Sequence, residues 1–347
     1  MLNTRIITVD KNQPEIEKIK EGARIIREGG LVAFPTETVY GLGGNALDEK
    51  VARKIYAAKG RPQDNPLIVH IYSVSQLDML VKEIPKKAAI LMDKFWPGPL
   101  TIIFNKKDSV PHGTTGGLDT VAIRMPDHSV ALKLIEEAGV PIAAPSANIS
   151  GRPSPVCASD VAEDLSGRID MILDGGSASV GVESTVLDIS EEVPMILRPG
   201  GVNREDLEMI LGCVEVDPGL APGEHPRSPG QKYRHYAPRA TMTVVQGSLE
   251  NQVRTIIKLT EEFEEEGYKV GIMATAQTRH QYLKGCVMSV GDRTAPLTIS
   301  SNLFTILRKF DRLEVDKILA EGISEDGIGL AVMNRLYKAA GYNVLKV

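Results

Sequence analysis

Two basic residues, Lys59 and Arg61, stand on either side of a glycine at the end of a predicted helix. Gly60 and Pro62 break that helix, so both cationic groups can converge on one anion. A planar guanidinium beside a compact ammonium suits a polyphosphate. The alternative is that Lys59 only decorates the end of the helix and that Arg61 is solvated. The sequence leaves both interpretations open.

Two further polar residues lie inside apolar runs that predict buried strands. Arg124 lies within VAIRM and His70 within LIVHI. An unpaired buried charge is strongly destabilising, so Arg124 must pair with a carboxylate, either in a structural salt bridge or on a ligand. His70 is either a satisfied core histidine or part of the same binding site.

Small hydroxyl and amide side chains follow several of the apolar runs. The run Leu31 to Phe34 is stopped by Pro35, and Thr36-Glu37-Thr38 comes next. In α/β folds ligands bind at the ends of strands, where such groups offer hydrogen bonds. Each is by itself more often a turn residue than a ligand. The other candidates of this kind are Asn65, Ser146, Asn148, Ser154, Glu183, Ser184, Thr185 and the cationic Arg198.

Most common catalytic motifs are absent from the sequence. It contains no GxxxxGK[ST], HExxH or GxSxG, and no Asp, Glu or His cluster at metal-binding spacing. The segment GLGGNA at 41–46 matches G-x-G-x-x-[GA], but the acidic residue expected about 20 positions later is missing. No nucleophile is paired with a base. The pattern therefore favours positioning and charge neutralisation, as in phosphoryl or nucleotidyl transfer.

The elements that must position these residues alternate between strands and helices. Apolar spacing predicts a helix from Pro14 to Ile26 and another after Asp48, with about seven short strands in the first 200 residues. This pattern predicts an α/β fold with a mixed sheet. Residues 212–240 are rich in proline, glycine and basic residues and predict a linker that could cover an active site. From residue 241 a smaller set of βα repeats begins. We therefore predict domains at 1–211 and 241–347.

Composition narrows the class of protein further. The chain has 347 residues, 42% of them hydrophobic, which suits two globular domains. A formal net charge of −5 argues against a protein that mainly coats nucleic acid. Three scattered cysteines fit a reducing compartment and exclude a disulfide framework. Neither a signal peptide nor a membrane span is predicted, so we expect a cytoplasmic protein.

Several motifs, in order along nearly the whole chain, resemble the YrdC-like family of threonylcarbamoyl-AMP synthases. They are PTETVYGLG (35–43), KxRP (59–62), NPL (65–67), SAN (146–148), ESTV (183–186), RPG (198–200) and SPGxKYxHYxP (228–238). The last motif is typical of the long form of the family. The resemblance implies a YrdC-like catalytic domain of twisted mixed sheet and helices, a linker that acts as a lid, and a Rossmann-like C-terminal domain.

The resemblance also implies a reaction. Such an enzyme joins L-threonine, bicarbonate or carbon dioxide, and ATP into L-threonylcarbamoyladenylate and releases pyrophosphate. The product supplies the threonylcarbamoyl group placed on the adenosine next to the tRNA anticodon by a downstream transferase. Binding of tRNA by this chain itself is expected to be weak or indirect. Mg²⁺ would be carried by the ATP phosphates rather than by a protein metal site.

The family pattern assigns residues position by position. Lys59 and Arg61 are the implied catalytic residues. L-threonine would bind Thr38, His70, Arg124, the backbone at Ala144, and Ser184. ATP would bind Lys59, Arg61, Asn65, Thr120, Ser146, Ser154, Arg198 and, from the linker, Tyr236.

Two other functions stay open at this level. YrdC-like domains also occur in proteins that activate carbamoyl phosphate with ATP, although the extra zinc-binding CxxC pairs usual in those proteins are missing here. A non-catalytic double-stranded-RNA-binding module is the second alternative. The net charge of −5 weakens it, because binding to a phosphate backbone needs a broad cationic face.

Overall fold

The computed structural model describes residues 2–219, 226–229 and 235–347, and it confirms the predicted α/β class with a mixed sheet. The chain divides into two compact units. The first comprises Met1–Ser150 with Ser154–Tyr233, and the second comprises Gly151–Pro153 with Arg234–Val347. None of the described helices is both long enough and apolar enough to cross a lipid bilayer.

The first unit contains strands β1 to β11 and helices α1 to α8. The strands are β1 (Arg5–Thr8), β2 (Val32–Phe34), β3 (Gly41–Asn45), β4 (Ile68–His70), β5 (Leu100–Asn105), β6 (Thr120–Arg124), β7 (Ile142–Ala143), β8 (Met171–Asp174), β9 (Thr185–Asp188), β10 (Met195–Arg198) and β11 (Glu215–Val216). The helices are α1 (Ile16–Arg27), α2 (Glu49–Lys59), α3 (Leu77–Leu80), α4 (Lys86–Phe95), α5 (His112–Thr115), α6 (Ser129–Ala138), α7 (Ala158–Leu165) and α8 (Arg204–Leu211).

These strands form one sheet in the order β1-β8-β2-β3-β7-β4-β6-β5-β9-β10-β11. Parallel and antiparallel pairs alternate irregularly: β4 is parallel to β6, whereas β7 is antiparallel to both β3 and β4. Strands β4 and β6, which end in His70 and Arg124, therefore lie close to β9, which follows Ser184, near the middle of the sheet.

Helices cover both faces of this sheet. Along β2, Val32 and Phe34 join a cluster with α1 and α6, whereas Leu31 and Ala33 join a second cluster with α2, α4 and α7. The alternation follows from the strand geometry, which points successive side chains to opposite faces. The predicted Asp48 cap is confirmed, because its side chain accepts a hydrogen bond from the backbone N–H of Lys50 at the start of α2.

The second unit contains a parallel sheet in the order β14-β13-β15-β12-β16. Its strands are β12 (Thr241–Gln246), β13 (Val270–Thr275), β14 (Cys286–Gly291), β15 (Lys317–Glu321) and β16 (Val344–Lys346), and its helices are α9 (Leu249–Glu265), α10 (Pro296–Arg312) and α11 (Gly329–Ala339). At the end of β15 the buried Glu321 accepts hydrogen bonds from Thr275, Thr278 and Tyr282 and pairs with Arg293 at 3.0 Å.

The glycine cluster after Tyr40 is the main local correction. The sequence predicted no strand there, but Gly41–Asn45 is strand β3, paired with β2 and β7. A Cβ on Gly43 would stand 2.6 Å from the Phe34 ring, and one on Gly44 would stand 2.4 Å from Val51. The glycines therefore allow close packing of the strand against its neighbours, and GLGGNA is not a dinucleotide loop.

The sheet of the first unit is also larger than predicted, with eleven strands among the described residues in place of about seven. Two of the unpredicted strands, β1 and β11, have exposed or half-buried side chains, so their sequences lack a continuous apolar run. Strand β11 pairs with β10 within the range that the sequence marked as linker.

Candidate active site

The pairing of β4 with β6 brings two predicted threonine-binding residues side by side. His70 and Arg124 are register partners at the ends of these parallel strands. Arg124 is buried, and its Nε donates a hydrogen bond to the Gly98 carbonyl at 3.1 Å. Its Nη1 donates to Thr38 Oγ1 at 2.8 Å, and its Nη2 lies 2.5 Å from Glu37 Oε1. The structure thus joins Thr38, Arg124 and Glu37 in one buried cluster.

His70 lies in this cluster as a neutral imidazole. Burial, and next the positive charge of Arg124, lower the pKa of His70 from 6.5 to about 3. Its Nδ1 is 3.2 Å from the carbonyl oxygen of Ile68, and its ring meets that of Phe34 edge-on with centroids 6.3 Å apart. The Ile68 carbonyl and the Phe34 ring therefore hold His70 in the core, and its imidazole carries no positive charge beside Arg124 at neutral pH.

The segment after β2 is held rigid by its own hydroxyls. Thr36 Oγ1 donates to the Val39 carbonyl at 2.6 Å and lies 2.9 Å from Thr38 Oγ1. The carbonyl groups of Glu37 and Thr38 accept hydrogen bonds from the backbone N–H groups of Val180 and Gly181. The Thr-Glu-Thr stretch therefore presents its side chains from a fixed backbone.

Lys59 is not a solvent-exposed residue at the end of a helix, because only 1% of it is exposed. Its Nζ donates to the carbonyl oxygens of Ser146 at 2.5 Å and Asn148 at 2.6 Å. The Ser146 hydroxyl in turn donates to Asn148 Oδ1 at 2.6 Å. The ammonium therefore fixes the SAN segment, 87 residues away in sequence, and brings positive charge to it.

Arg61 is also buried, with 8% exposed, so the solvated interpretation of the Lys59–Arg61 pair is wrong. Its Nε donates to the Asn65 carbonyl at 3.2 Å and its Nη2 to the Pro66 carbonyl at 3.0 Å. These bonds curl residues 61–66 around the guanidinium. Among the described residues, no donor reaches Asn65 Oδ1, although that oxygen is buried. A buried acceptor without a partner is uncommon, and a bound ligand would relieve it.

Ser184 and Arg198 form a third cluster, at the ends of β9 and β10. Arg198 donates to the Ser184 carbonyl at 3.0 Å and to its hydroxyl at 3.1 Å, and that hydroxyl lies 2.7 Å from Thr101 Oγ1. A Cβ on Gly200 would stand 2.2 Å from the Ser184 backbone. The RPG motif therefore needs glycine because its backbone packs directly on the EST segment.

The remaining predicted residues are dispersed. Ser154 donates to Glu183 Oε1 at 2.5 Å, and the backbone N–H of Ala144 donates to the Ile68 carbonyl at 2.8 Å. Thr120 begins β6 and Arg124 ends it, so about 13 Å of strand separates them. Tyr236 belongs to the second unit, where its ring stacks on Phe304 with centroids 5.3 Å apart.

Sequence reasoning assigned no role to two residues that the structure places in these clusters, Glu37 and Thr101. Glu37 contacts Arg124, and Thr101 shares a hydrogen bond with Ser184. The only signal for Glu37 was its position between two hydroxyls in PTET. Thr101 carried none, because a threonine in the strand LTIIFN is typical of any sheet.

Comparison with known proteins places this site in a class. Residues 24–200 match the family model Sua5_yciO_yrdC, described as telomere recombination. Residues 202–341 match Sua5_C, described as the C-terminal domain of threonylcarbamoyl-AMP synthase. The fold and the two models together define a two-unit protein of the Sua5/YrdC class.

Curated relatives match over the full chain. The threonylcarbamoyl-AMP synthase of Pyrococcus abyssi is 53% identical over 99% of this chain and 100% of its own length. That of Bacillus subtilis is 50% identical over 96% of this chain and 95% of its own length. The crystal structure of P. abyssi Sua5 complexed with L-threonine covers 99% of this chain and 100% of its own, with a TM-score of 0.95 at 52% identity. The chain belongs to the threonylcarbamoyl-AMP synthase family, and it is an enzyme of the nucleotidyltransferase type.

Proposed function

We propose that this enzyme forms L-threonylcarbamoyladenylate and pyrophosphate from L-threonine, bicarbonate or carbon dioxide, and ATP. The observation that carries the proposal is the buried guanidinium of Arg124, held by Thr38 and Gly98 at the end of a central strand. A guanidinium has five N–H donors, and the described protein partners of Arg124 are three. The other N–H groups can donate to a substrate carboxylate in a bidentate pair.

Uncharged hydrogen-bonding groups would recognise the side chain of threonine. Thr38 and Ser184 present hydroxyls, and His70 is an uncharged imidazole. The backbone N–H of Ala144 and Nδ1 of His70 both reach the Ile68 carbonyl. A small pocket with several hydrogen-bonding groups can discriminate strongly against an analogue that lacks the hydroxyl, because its own polar groups would be left unpaired. The threonine-bound structure of the P. abyssi relative supports this choice of amino acid.

The phosphates of ATP would bind where cations are buried. Lys59, Arg61 and Arg198 are each less than 10% exposed, and each is held by backbone carbonyls. Such fixed positive groups stabilise charge that develops in a transition state without having to reorganise. Asn65, Thr120, Ser146 and Ser154 would contribute neutral hydrogen bonds to the nucleotide.

The chemistry would proceed by positioning rather than by a protein nucleophile. The neutral threonine amine attacks carbon dioxide, a C–N bond forms, and one proton passes to solvent to leave a carbamate. A carbamate oxygen then attacks the α-phosphorus of ATP in line, the bond to the bridging oxygen breaks, and pyrophosphate leaves. Lys59, Arg61 and Arg198 would neutralise the departing charge. Both the carbamate and the mixed anhydride are labile, so exclusion of water by the linker, residues 212–240 with Tyr236, is part of the proposal.

Mg²⁺ would be held by the ATP phosphates. The donor set fits this arrangement: the predicted ATP residues are cations, hydroxyls and an amide, and the buried Asn65 Oδ1 is an oxygen acceptor suited to a metal-bound water. When bound, the ion would neutralise phosphate charge. We further propose that the enzyme acts in the cytoplasm and that a downstream transferase uses its product to modify tRNA.

Pyrophosphate release by the purified protein tests the proposal. ATP and Mg²⁺ are supplied, and threonine and bicarbonate are each added or withheld. Release that requires both supports threonylcarbamoyl adenylation. Release that ignores threonine, or that responds to carbamoyl phosphate, would contradict it and would favour carbamoyl-phosphate activation on the same fold.

A further inference from the structure

Glu37 is a buried carboxylate with incomplete partners. It is 7% exposed, and among the described residues its only close charged contact is Arg124 Nη2, at 2.5 Å. Neither Oε1 nor Oε2 accepts a well-aligned hydrogen bond from the part of the chain that the structure describes. An ionised carboxylate can accept about four hydrogen bonds. Glu37 is therefore buried well below its hydrogen-bonding capacity.

Among the residues that the structure describes, no second cation forms an ion pair with Glu37. His128 is the nearby titratable group that feels the Glu37 charge, but burial lowers the pKa of His128. Its Nδ1 accepts a hydrogen bond from the backbone N–H of Val130 at the start of α6. The imidazole is thus neutral at neutral pH. Burying a carboxylate with a single ion-pair partner is costly, so a ligand that supplies donors would stabilise this site.

Arg124 and Glu37 place a positive and a negative group side by side, the first at the end of β6 and the second just after β2. Arg124 keeps unused N–H donors after its bonds to Gly98 and Thr38. Glu37 keeps unused acceptor sites. A free α-amino acid carries a carboxylate and an ammonium on a single carbon, and its charges complement this pair.

We propose that Glu37 binds the α-ammonium group of the amino acid substrate while Arg124 binds its carboxylate. This inference rests on the proposed function, and it names the group that aims the reacting nitrogen. Glu37 then selects free amino acids over hydroxy acids, and it fixes the orientation in which the amine, once deprotonated, meets carbon dioxide. The amine is the nucleophile of the first step, so its placement decides whether carbamate forms next to the ATP site.

The test compares two ligands on two proteins. Equilibrium binding of L-threonine and of (R)-3-hydroxybutanoate, which lacks only the amino group, is measured by calorimetry on the wild-type chain and on Glu37→Gln. Wild type should bind L-threonine more tightly than the deaminated analogue. In Glu37→Gln that preference should fall by about 10-fold or more, because a charge-assisted hydrogen bond to the ammonium is lost. An unfolded fraction of the protein does not change the ratio of the two affinities, because both ligands are measured on the same preparation.

Asp170→Asn is the matched control. Its Oδ2 accepts a hydrogen bond from the backbone N–H of Leu31 at 2.7 Å. Asp170 precedes β8, and Leu31 precedes the parallel strand β2, whereas Glu37 follows the other end of β2. The control should leave the preference unchanged. Glu37→Asp, which keeps the charge on a shorter arm, should retain part of it.

Three outcomes would overturn the inference. If Glu37→Gln weakens both ligands by the same factor, Glu37 only positions Arg124. If the variant binds L-threonine more tightly, Glu37 is a competitor for Arg124. If the preference is unchanged, the amine is held elsewhere. Failure of wild type to bind L-threonine at all would instead refute the proposed function.

Discussion

For the buried ion pair of Arg124 and Glu37, we predict that a double variant recovers stability but does not recover the use of threonine. Arg124→Met removes the positive charge and keeps a side chain of similar length. It leaves the Glu37 carboxylate buried with no opposite charge among its described contacts. Breaking a buried pair in this way costs about 3–5 kcal/mol. Glu37→Gln should cost only about 1–2 kcal/mol, because Arg124 keeps its bonds to Gly98 and Thr38.

The double variant Arg124→Met with Glu37→Gln removes both charges. The free energy of unfolding should then be restored relative to Arg124→Met alone, with a coupling energy of about 2 kcal/mol or more. Substrate use should not return, because the donors for the threonine carboxylate are gone. The double variant should therefore be folded and yet release no threonine-dependent pyrophosphate.

The chain carries its own probe for this measurement. Trp96 is its single tryptophan, it is buried in the first unit, and its indole N–H donates to the Leu100 carbonyl at 2.7 Å. Urea unfolding followed by tryptophan fluorescence therefore reports on the unit that contains the pair. With a urea dependence of about 2 kcal/mol per molar, the single Arg124→Met change should lower the midpoint by roughly 1.5–2.5 M.

An exposed ion pair supplies the control. Arg24, in the last turn of α1, and Glu28, just after that helix, are 2.9 Å apart, with more than half of each side chain exposed. The same cycle there should give a coupling energy of only about 0.5 kcal/mol, because solvent screens the charges. If the losses in free energy of unfolding for Arg124→Met and Glu37→Gln simply add in the double variant, the argument that the two buried charges compensate each other is refuted. Recovery of threonine use in the double variant would refute the carboxylate role of Arg124.

Three other perturbations follow from the same geometry. His70 has a pKa of about 3 in the folded chain and 6.5 in the unfolded chain, so the unfolded chain binds more protons between these pH values. The contribution of His70 to the free energy of unfolding is therefore fully present above pH 6.5 and falls by about 1.4 kcal/mol per pH unit below it. Urea titrations of His70→Gln should lack this slope. Gly200→Ala should destabilise the first unit by more than about 2 kcal/mol and abolish pyrophosphate release, because its Cβ would stand 2.2 Å from the Ser184 backbone; wild-type kinetics and an unchanged urea midpoint would contradict this. Lys59→Met should leave the carbonyls of Ser146 and Asn148 without their donor and lower kcat by at least about 100-fold, whereas a change confined to the KM for threonine would exclude a role at the ATP site.

The order of elements was largely predictable because it depends on local patterns. The spacing of Ile19, Ala23 and Ile26 predicted α1, and the Asp48 cap predicted the start of α2. The strands that end at His70 and Arg124 were predicted because buried strands in a sheet covered on both faces read as continuous apolar runs. Strand β3 (Gly41–Asn45) was not predicted because glycine disfavours strands in isolation. Its pairing with β2 and β7, and the close approach of Phe34 and Val51 that the glycines allow, are tertiary features.

The candidate site was predictable as a set of residues but not as a set of contacts. A charged residue inside an apolar run, such as Arg124, can be recognised from sequence, because a buried charge requires a partner of opposite charge. The identity of that partner could not be predicted, since Glu37 lies 87 positions earlier. The alternatives for Lys59 and Arg61 were decided by burial, which depends on segments around Asn148 and Asn65 folding over the cationic groups.

The sequence by itself determined which side chains are available and at which ends of strands they lie, because hydrophobic periodicity and the breaks at proline and glycine are local properties. Tertiary structure alone decided which of them meet. Placing β4 beside β6 and β9 beside β10 sets Arg124 against His70 and Arg198 against Ser184. Strand order is fixed by the free energy of burying whole faces of the sheet, a sum over distant residues that no short stretch of sequence contains.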